Sequence, residues 1–156
     1  MLHNFLLAKL TVWNFALACC TFFLYNIGVL LPAFTEDSSR VSYIIASTFV
    51  VGLMSIFYFA WNLDNIENIK IKFQYVVDIA QYLVVFGLIG TSIGILHMVQ
   101  GVDLSSLGDS QKLGEMGMAM SGGLKTLSYC TILGAASLFW HSVNLRMLNT
   151  QIELAE

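Results

Sequence analysis

Four apolar runs, each long enough to cross a bilayer, constrain this 156-residue chain more than any motif in it. At a rise of 1.5 Å per residue, a helix needs roughly 20 apolar residues to span the hydrocarbon core. The first run covers about Leu10 to Leu31 and stops at Pro32, the only proline. The second covers about Val41 to Leu63 and the third Ile79 to Val99. The fourth starts between Met116 and Leu124 and ends near Val143. Hydrophobic residues make up 57% of the chain and charged residues 11%. A soluble domain of this length cannot hide that much apolar surface, so an integral membrane protein is the class that fits. Lys9 ahead of an apolar run is also how a signal peptide begins. This run is too long for one and ends in Leu-Pro, so it is expected to stay as a span.

The predicted fold is therefore all-α, an integral membrane four-helix protein. Residues 1–63 form a two-span hairpin, and residues 64–156 form a core with a surface helix, spans three and four, and a short amphipathic tail. Ala33 to Arg40 is a short polar connection. Asp64 to Gln74 alternates charge with isoleucine and reads as an amphipathic lead-in to the third span. Gly101 to about Glu115 reads as a polar loop. Four spans put both termini on one side. That side receives Lys9, Lys70, Lys72 and Arg146, against Arg40, Lys112 and Lys125 on the other, a bias that favours cytoplasmic termini. Trp13, Trp61 and Trp140 would sit near that same interface. The formal charge is −3 with no basic cluster, so no nucleic-acid partner is expected. Cys19, Cys20 and Cys130 fall within apolar runs and read as buried packing residues. No His, Cys, Asp or Glu spacing suggests a metal, a cofactor or an enzyme.

Within the third run, Gly87, Gly90 and Gly94 share one helical face with Thr91. Glycines in such a face let another helix backbone approach, and Gly90-x-x-x-Gly94 has the spacing that does this in lipid. Thr91 either packs in that contact or lines a polar path, because lipid offers its hydroxyl no partner. In the fourth run Ser121, Lys125, Ser128, Thr131, Ala135 and Ser142 form one stripe. That stripe is expected to be buried or to face a pore. In an antiparallel hairpin Thr91 and Thr131 come to a similar height.

Asp78 is the one carboxylate expected within the membrane. It lies about 20 Å from Thr91 along the axis, on the opposite helix face. It reads either as an ion-pair partner of Arg146 or of a neighbouring subunit's lysine, or as a point where protons enter the membrane. His97 and His141 lie at opposite ends of their spans and read as interfacial residues, with a relay as the alternative. No carboxylate stands level with the threonines. If protons pass there, another protein must supply the titratable group.

The stretch Gly87-Leu88-Ile89-Gly90-Thr91-Ser92-Ile93-Gly94-Ile95-Leu96-His97 resembles the Gly-Leu-(Leu/Phe/Ile)-Gly-Thr-Val-x-Gly helix of the MotA/TolQ/ExbB proton-channel family. Met116 to Leu124 followed by Thr131-Ile-Leu-Gly134 is similar to the family's Ala-Leu-x-x-Thr-x-x-Gly helix, with Thr126 as a competing match for its threonine. The resemblance covers about Tyr75 to Leu148. It departs at Leu127-Ser128, where Ala-Leu is usual, and at Trp140, near a common proline. It implies a homo-pentamer in the bacterial cytoplasmic (inner) membrane, enclosing a single-span MotB/TolR/ExbD-like protein. The partner's membrane aspartate would exchange protons beside Thr91, Thr131 and Ser128, driving its own movement. The expected function is thus a proton-channel or stator-type subunit of an energy-transducing complex. The alternative is a non-conducting membrane scaffold or assembly factor of the same fold.

Overall fold

A computed structural model describes residues 2–62, 69–102 and 110–155. The described residues hold five helices and no strand: α1 (Leu2–Asn26), α2 (Pro32–Thr35), α3 (Val41–Trp61), α4 (Ile69–Gln100) and α5 (Ser110–Ala155). Among the described residues, three segments are long and apolar enough to cross a membrane: Phe5–Asn26, Val41–Trp61 and Lys70–Gln100. The fourth expected run is helical as part of α5, but it falls short of the apolarity of the other three. Its serines, its threonines, Lys125 and His141 lower its hydropathy. At 1.5 Å per residue, α4 is about 48 Å long and α5 about 69 Å. Both outrun a bilayer core.

Several boundaries differ from the sequence reading for local reasons. The first span ends at Asn26 rather than Leu31. Gly28 adopts φ 76°, its N–H bonds Tyr25 O at 3.0 Å, and the Val29 N–H bonds Leu24 O at 3.1 Å. This is a Schellman stop, which needs a left-handed residue and takes glycine for it. Pro32 then opens α2 at the first helical turn, where its missing N–H is harmless. Ser110 to Glu115 are already helical, so the polar loop before α5 is shorter than expected. Residues 103–109 of that loop lie outside the described residues. So do residues 63–68 of the expected surface helix, whose remainder from Ile69 runs into α4 without a break.

α4 and α5 form an antiparallel hairpin, and α3 packs against both. In lipid there is no hydrophobic drive between helices, so close packing must hold them together. The glycines supply it. A Cβ added at Gly94 would lie 2.7 Å from both Gly123 O and Leu127 N, and one at Gly134 3.0 Å from Leu83 O. Gly87 faces Gly134, and Gly90 faces Cys130. On the α3 side, His141 fills the space that Gly52 leaves.

Two apolar cores result. One, at the end carrying both termini, joins Leu6 and Leu10 of α1 to Ile56, Phe59 and Ala60 of α3, Val76 and Ala80 of α4, and Leu145, Leu148 and Ile152 of α5. The other core joins only α3, α4 and α5, through Val41, Ile45, Leu83 and Cys130. α1 therefore leaves the bundle along its second half, where Phe15, Phe22 and Phe23 are exposed. Cys19 and Cys20 are exposed with them, which corrects the expectation that all three cysteines are buried. Only Cys130 is.

Candidate functional site

The α4–α5 seam brings the two family-like stretches together. Gly87, Gly90 and Gly94 are buried in it. Thr91 and Thr131 stand at its open edge, with their hydroxyl oxygens 2.7 Å apart. Thr91 Oγ1 also lies 2.8 Å from Gly87 O, and Thr131 Oγ1 2.7 Å from Leu127 O. Two hydroxyl hydrogens thus face three bonds. Either Thr131 donates to Thr91 and Thr91 to Gly87 O, or Thr91 donates to Thr131 and Thr131 to Leu127 O. The two arrangements interconvert by turning both hydroxyls, and each leaves an acceptor lone pair unfilled. A groove of about 200 Å³ runs past the pair, lined by Gly87, Leu88, Gly134 and Ala135 among others.

Ser128 lies one turn from Thr131 and donates to Leu124 O at 2.9 Å, so it is not joined to the threonine pair. The rest of the stripe is open. Ser121, Lys125, Thr131, Ala135 and Ser142 are exposed, so the chain's own helices do not cover it. Thr126 is on another side of α5 and fully buried. Its oxygen accepts from the Ser38 N–H at 3.2 Å and lies 3.0 Å from Ser38 Oγ, which is itself 3.0 Å from His97 Nδ1. Of the two threonines weighed for α5, Thr131 meets Thr91, and Thr126 ties down the 36–40 segment.

Asp78 and Arg146 do not meet in the chain. Asp78 accepts from Gln74 Nε2 at 3.1 Å, one turn earlier on its own helix. Arg146 is exposed and lines a hollow with Leu6, Lys9 and Thr150, on the α1 side of α5. Asp78 and Arg146 thus make no ion pair with each other within the chain. His141 is not interfacial either. It is fully buried, with Nδ1 3.2 Å from Ser137 O and its ring 4.9 Å from that of Phe49. It lies against Gly52, midway along α3.

Two polar clusters went unread in the sequence. Asp37 is buried although it lies in a short loop. Its Oδ1 accepts from the Ser39 N–H at 3.0 Å and the Ser39 hydroxyl at 2.6 Å, and its Oδ2 accepts from the Ser42 N–H at 2.9 Å. Burial pushes this carboxyl up, but the bonds from Ser39 and Ser42 outweigh it and hold it below the usual carboxylate range. The carboxylate thereby serves the first turn of α3, whose flanking Arg40 makes no side-chain cap. At the other end, Asn14 of α1 and Asn144 of α5 exchange two amide bonds, of 2.9 and 3.2 Å, and Trp140 Nε1 donates to Asn14 Oδ1 at 2.6 Å. The signals were present: an acidic residue just before an apolar run, and an asparagine deep within one. Lys125, on the stripe, pairs with Glu36 at 2.8 Å. Among the described residues no group of His, Cys, Asp or Glu is placed to hold a metal ion.

No family model, no curated protein and no solved structure matches the chain.

Proposed function

We propose that the chain is the channel-forming subunit of an ion-driven, energy-transducing membrane complex. In this reading α5 is a fourth span and the termini are cytoplasmic. Five copies in the bacterial inner membrane surround a single-span partner that carries a membrane aspartate. The observation that carries the reading is the Thr91–Thr131 pair on the uncovered face of the α4–α5 hairpin. Two hydroxyls with an open lone pair can accept from a protonated carboxyl and, by giving up a bond to a backbone carbonyl, donate to an ionised one, without trapping the ion as a fixed charge would. The low apolarity of α5 is consistent with this reading, since a helix lining a polar path is partly shielded from lipid. The resemblance of the same two stretches to the MotA/TolQ/ExbB family points the same way.

The test is proton flux into vesicles holding the chain with its co-purified single-span partner. Thr91→Val and Thr131→Val keep nearly the side-chain volume and remove the hydroxyl. They are expected to assemble as the wild type does and to lose flux, as does the partner's Asp→Asn form. Wild-type flux in both valine variants would remove the pore assignment. A scaffold is the second reading, favoured by one observation: each threonine has a backbone carbonyl within reach and needs no partner to satisfy it. It expects the valine variants to keep all function.

A further inference from the structure

The splaying of α1 leaves a cavity of about 350 Å³ between α1, α3 and α5. Leu17, Thr21 and Leu24 form one wall, Phe49 and Ala136 the others, and Phe34 of α2 closes the end near the 27–40 segment. The wall is almost wholly apolar, and its polar atoms are mostly spoken for. Thr21 Oγ1 donates to Leu17 O at 2.9 Å, Ser42 Oγ lies 3.8 Å from Cys130 Sγ, and the Trp140 N–H at the far end is bonded to Asn14. Ser137 adds one hydroxyl. A buried water needs two to four polar partners, so this cavity does not hold water, and it offers a charged ligand nothing.

Leu24 and Val50 on its rim, and Ala136 on its α5 wall, are exposed, so the cavity opens sideways. It does so between α1 and α3, both long and apolar enough to cross a membrane, where the surrounding solvent is hydrocarbon. Its size then selects the occupant. Along α3 it runs from Ser42 to Val50, about 12 Å at 1.5 Å per residue. Spread over that length, the volume leaves a cross-section of about 30 Å². With a margin of about 1.4 Å added for the atoms at its wall the gap is about 9 Å across, still narrower than a helix of 10–12 Å diameter, so no helix of a second copy fits. A dry apolar cavity of about 150 Å³ already takes a benzene-sized guest. This one is larger, long and narrow, the shape of an extended hydrocarbon chain.

We propose that this cavity is a lipid site that holds one phospholipid acyl chain, drawn from the leaflet at the 27–40 end. The chain wedges between α1 and the α3–α5 pair and supplies the packing that α1 lacks there. The site depends on membrane location alone, not on ion conduction, so the flux assay and this one fail separately.

Trp140 lines the cavity and is a built-in reporter. In a Trp13→Phe/Trp61→Phe background, the full chain is reconstituted in vesicles of phosphatidylcholine brominated on the acyl chain. Trp140 fluorescence is expected to be quenched. Ala136→Phe, which fills the cavity, is expected to relieve the quenching, and Val50→Phe at the rim serves if Ala136→Phe fails to assemble. Native mass spectrometry after detergent extraction should find one phospholipid retained per chain, and none in the filled variant. Unquenched Trp140, quenching equal in parent and filled variant, or quenching by aqueous acrylamide instead would each overturn the site.

Discussion

Replacing Gly90 with alanine tests whether α4 and α5 touch as closely as the structure has them. The new Cβ would lie 2.6 Å from Cys130 Cβ and closer still to its sulfur, where ordinary contacts begin near 3.4 Å. Something must give by nearly 1 Å. Overpacking of this kind costs about 1–3 kcal/mol. Alanine returns about 1 kcal/mol of helix propensity, so the net loss is about 1–2 kcal/mol if the upper half of the range applies. Gly94→Ala is the sharper companion, because its obstacles, Gly123 O and Leu127 N, are backbone and cannot rotate away. It should lose about 2 kcal/mol or more, and Gly90→Leu should prevent assembly. Cys130→Gly removes the side chain facing Gly90 but not the backbone facing Gly94. It should therefore rescue Gly90→Ala, with a coupling of about 1 kcal/mol or more, and leave Gly94→Ala unrescued. The assay is a double-mutant cycle on unfolding in mixed micelles, read by helicity. If both alanine variants are as stable as the wild type or more so, propensity alone is acting and the backbones are not in contact.

The Asp37 carboxylate has a folded pKa below its unfolded value of about 3.9. It therefore contributes stability above that pH, and the contribution is lost as pH falls through the folded value. The melting temperature should drop on acidification below about pH 4, and Asp37→Asn should remove that dependence along with some stability at neutral pH. Asn14→Ala leaves the buried Asn144 without its partner and should cost about 1–3 kcal/mol, measured by the same unfolding assay, with Asn14→Asp a poor substitute. Gly28→Ala places a side chain at φ 76° and should lose about 1–2 kcal/mol, most of it seen as early fraying of the end of α1 in hydrogen exchange.

The hairpin was legible because its signal is periodic. Gly87, Gly90, Gly94 and Thr91 repeat at helical spacing, and an antiparallel partner at 1.5 Å rise brings Thr131 level with Thr91 without any knowledge of the loop. The 36–40 segment was not legible, because Asp37 is held by Ser39 of its own loop, Ser42 of α3 and Cys130 of α5, and Ser38 is anchored by Thr126, 88 positions away. No periodic pattern encodes such a tie. His141 was misplaced for a related reason. Distance from the end of an apolar run suggested an interface, but depth in the bundle is set by the partner helix, and Gly52 admits the ring midway along α3.

The stripe on α5 shows where a single chain stops explaining itself. Its hydroxyls, with Lys125 and His141, keep α5 below the apolarity of the three helices that are long and apolar enough to cross a membrane. Turned to lipid, the stripe would rely on bonds made within its own helix, as Ser128 and Thr131 make to Leu124 O and Leu127 O. The chain leaves the stripe uncovered, and α1 meets α5 on another side, where Asn14 bonds Asn144. Within the chain, Thr131 Oγ1 meets Thr91 Oγ1 and the Leu127 carbonyl of its own helix. On the channel reading its open side would face the pore and the partner's carboxyl, and the polarity that keeps α5 out of a hydropathy count would be what lines that path; on the scaffold reading the bond to Leu127 O is enough.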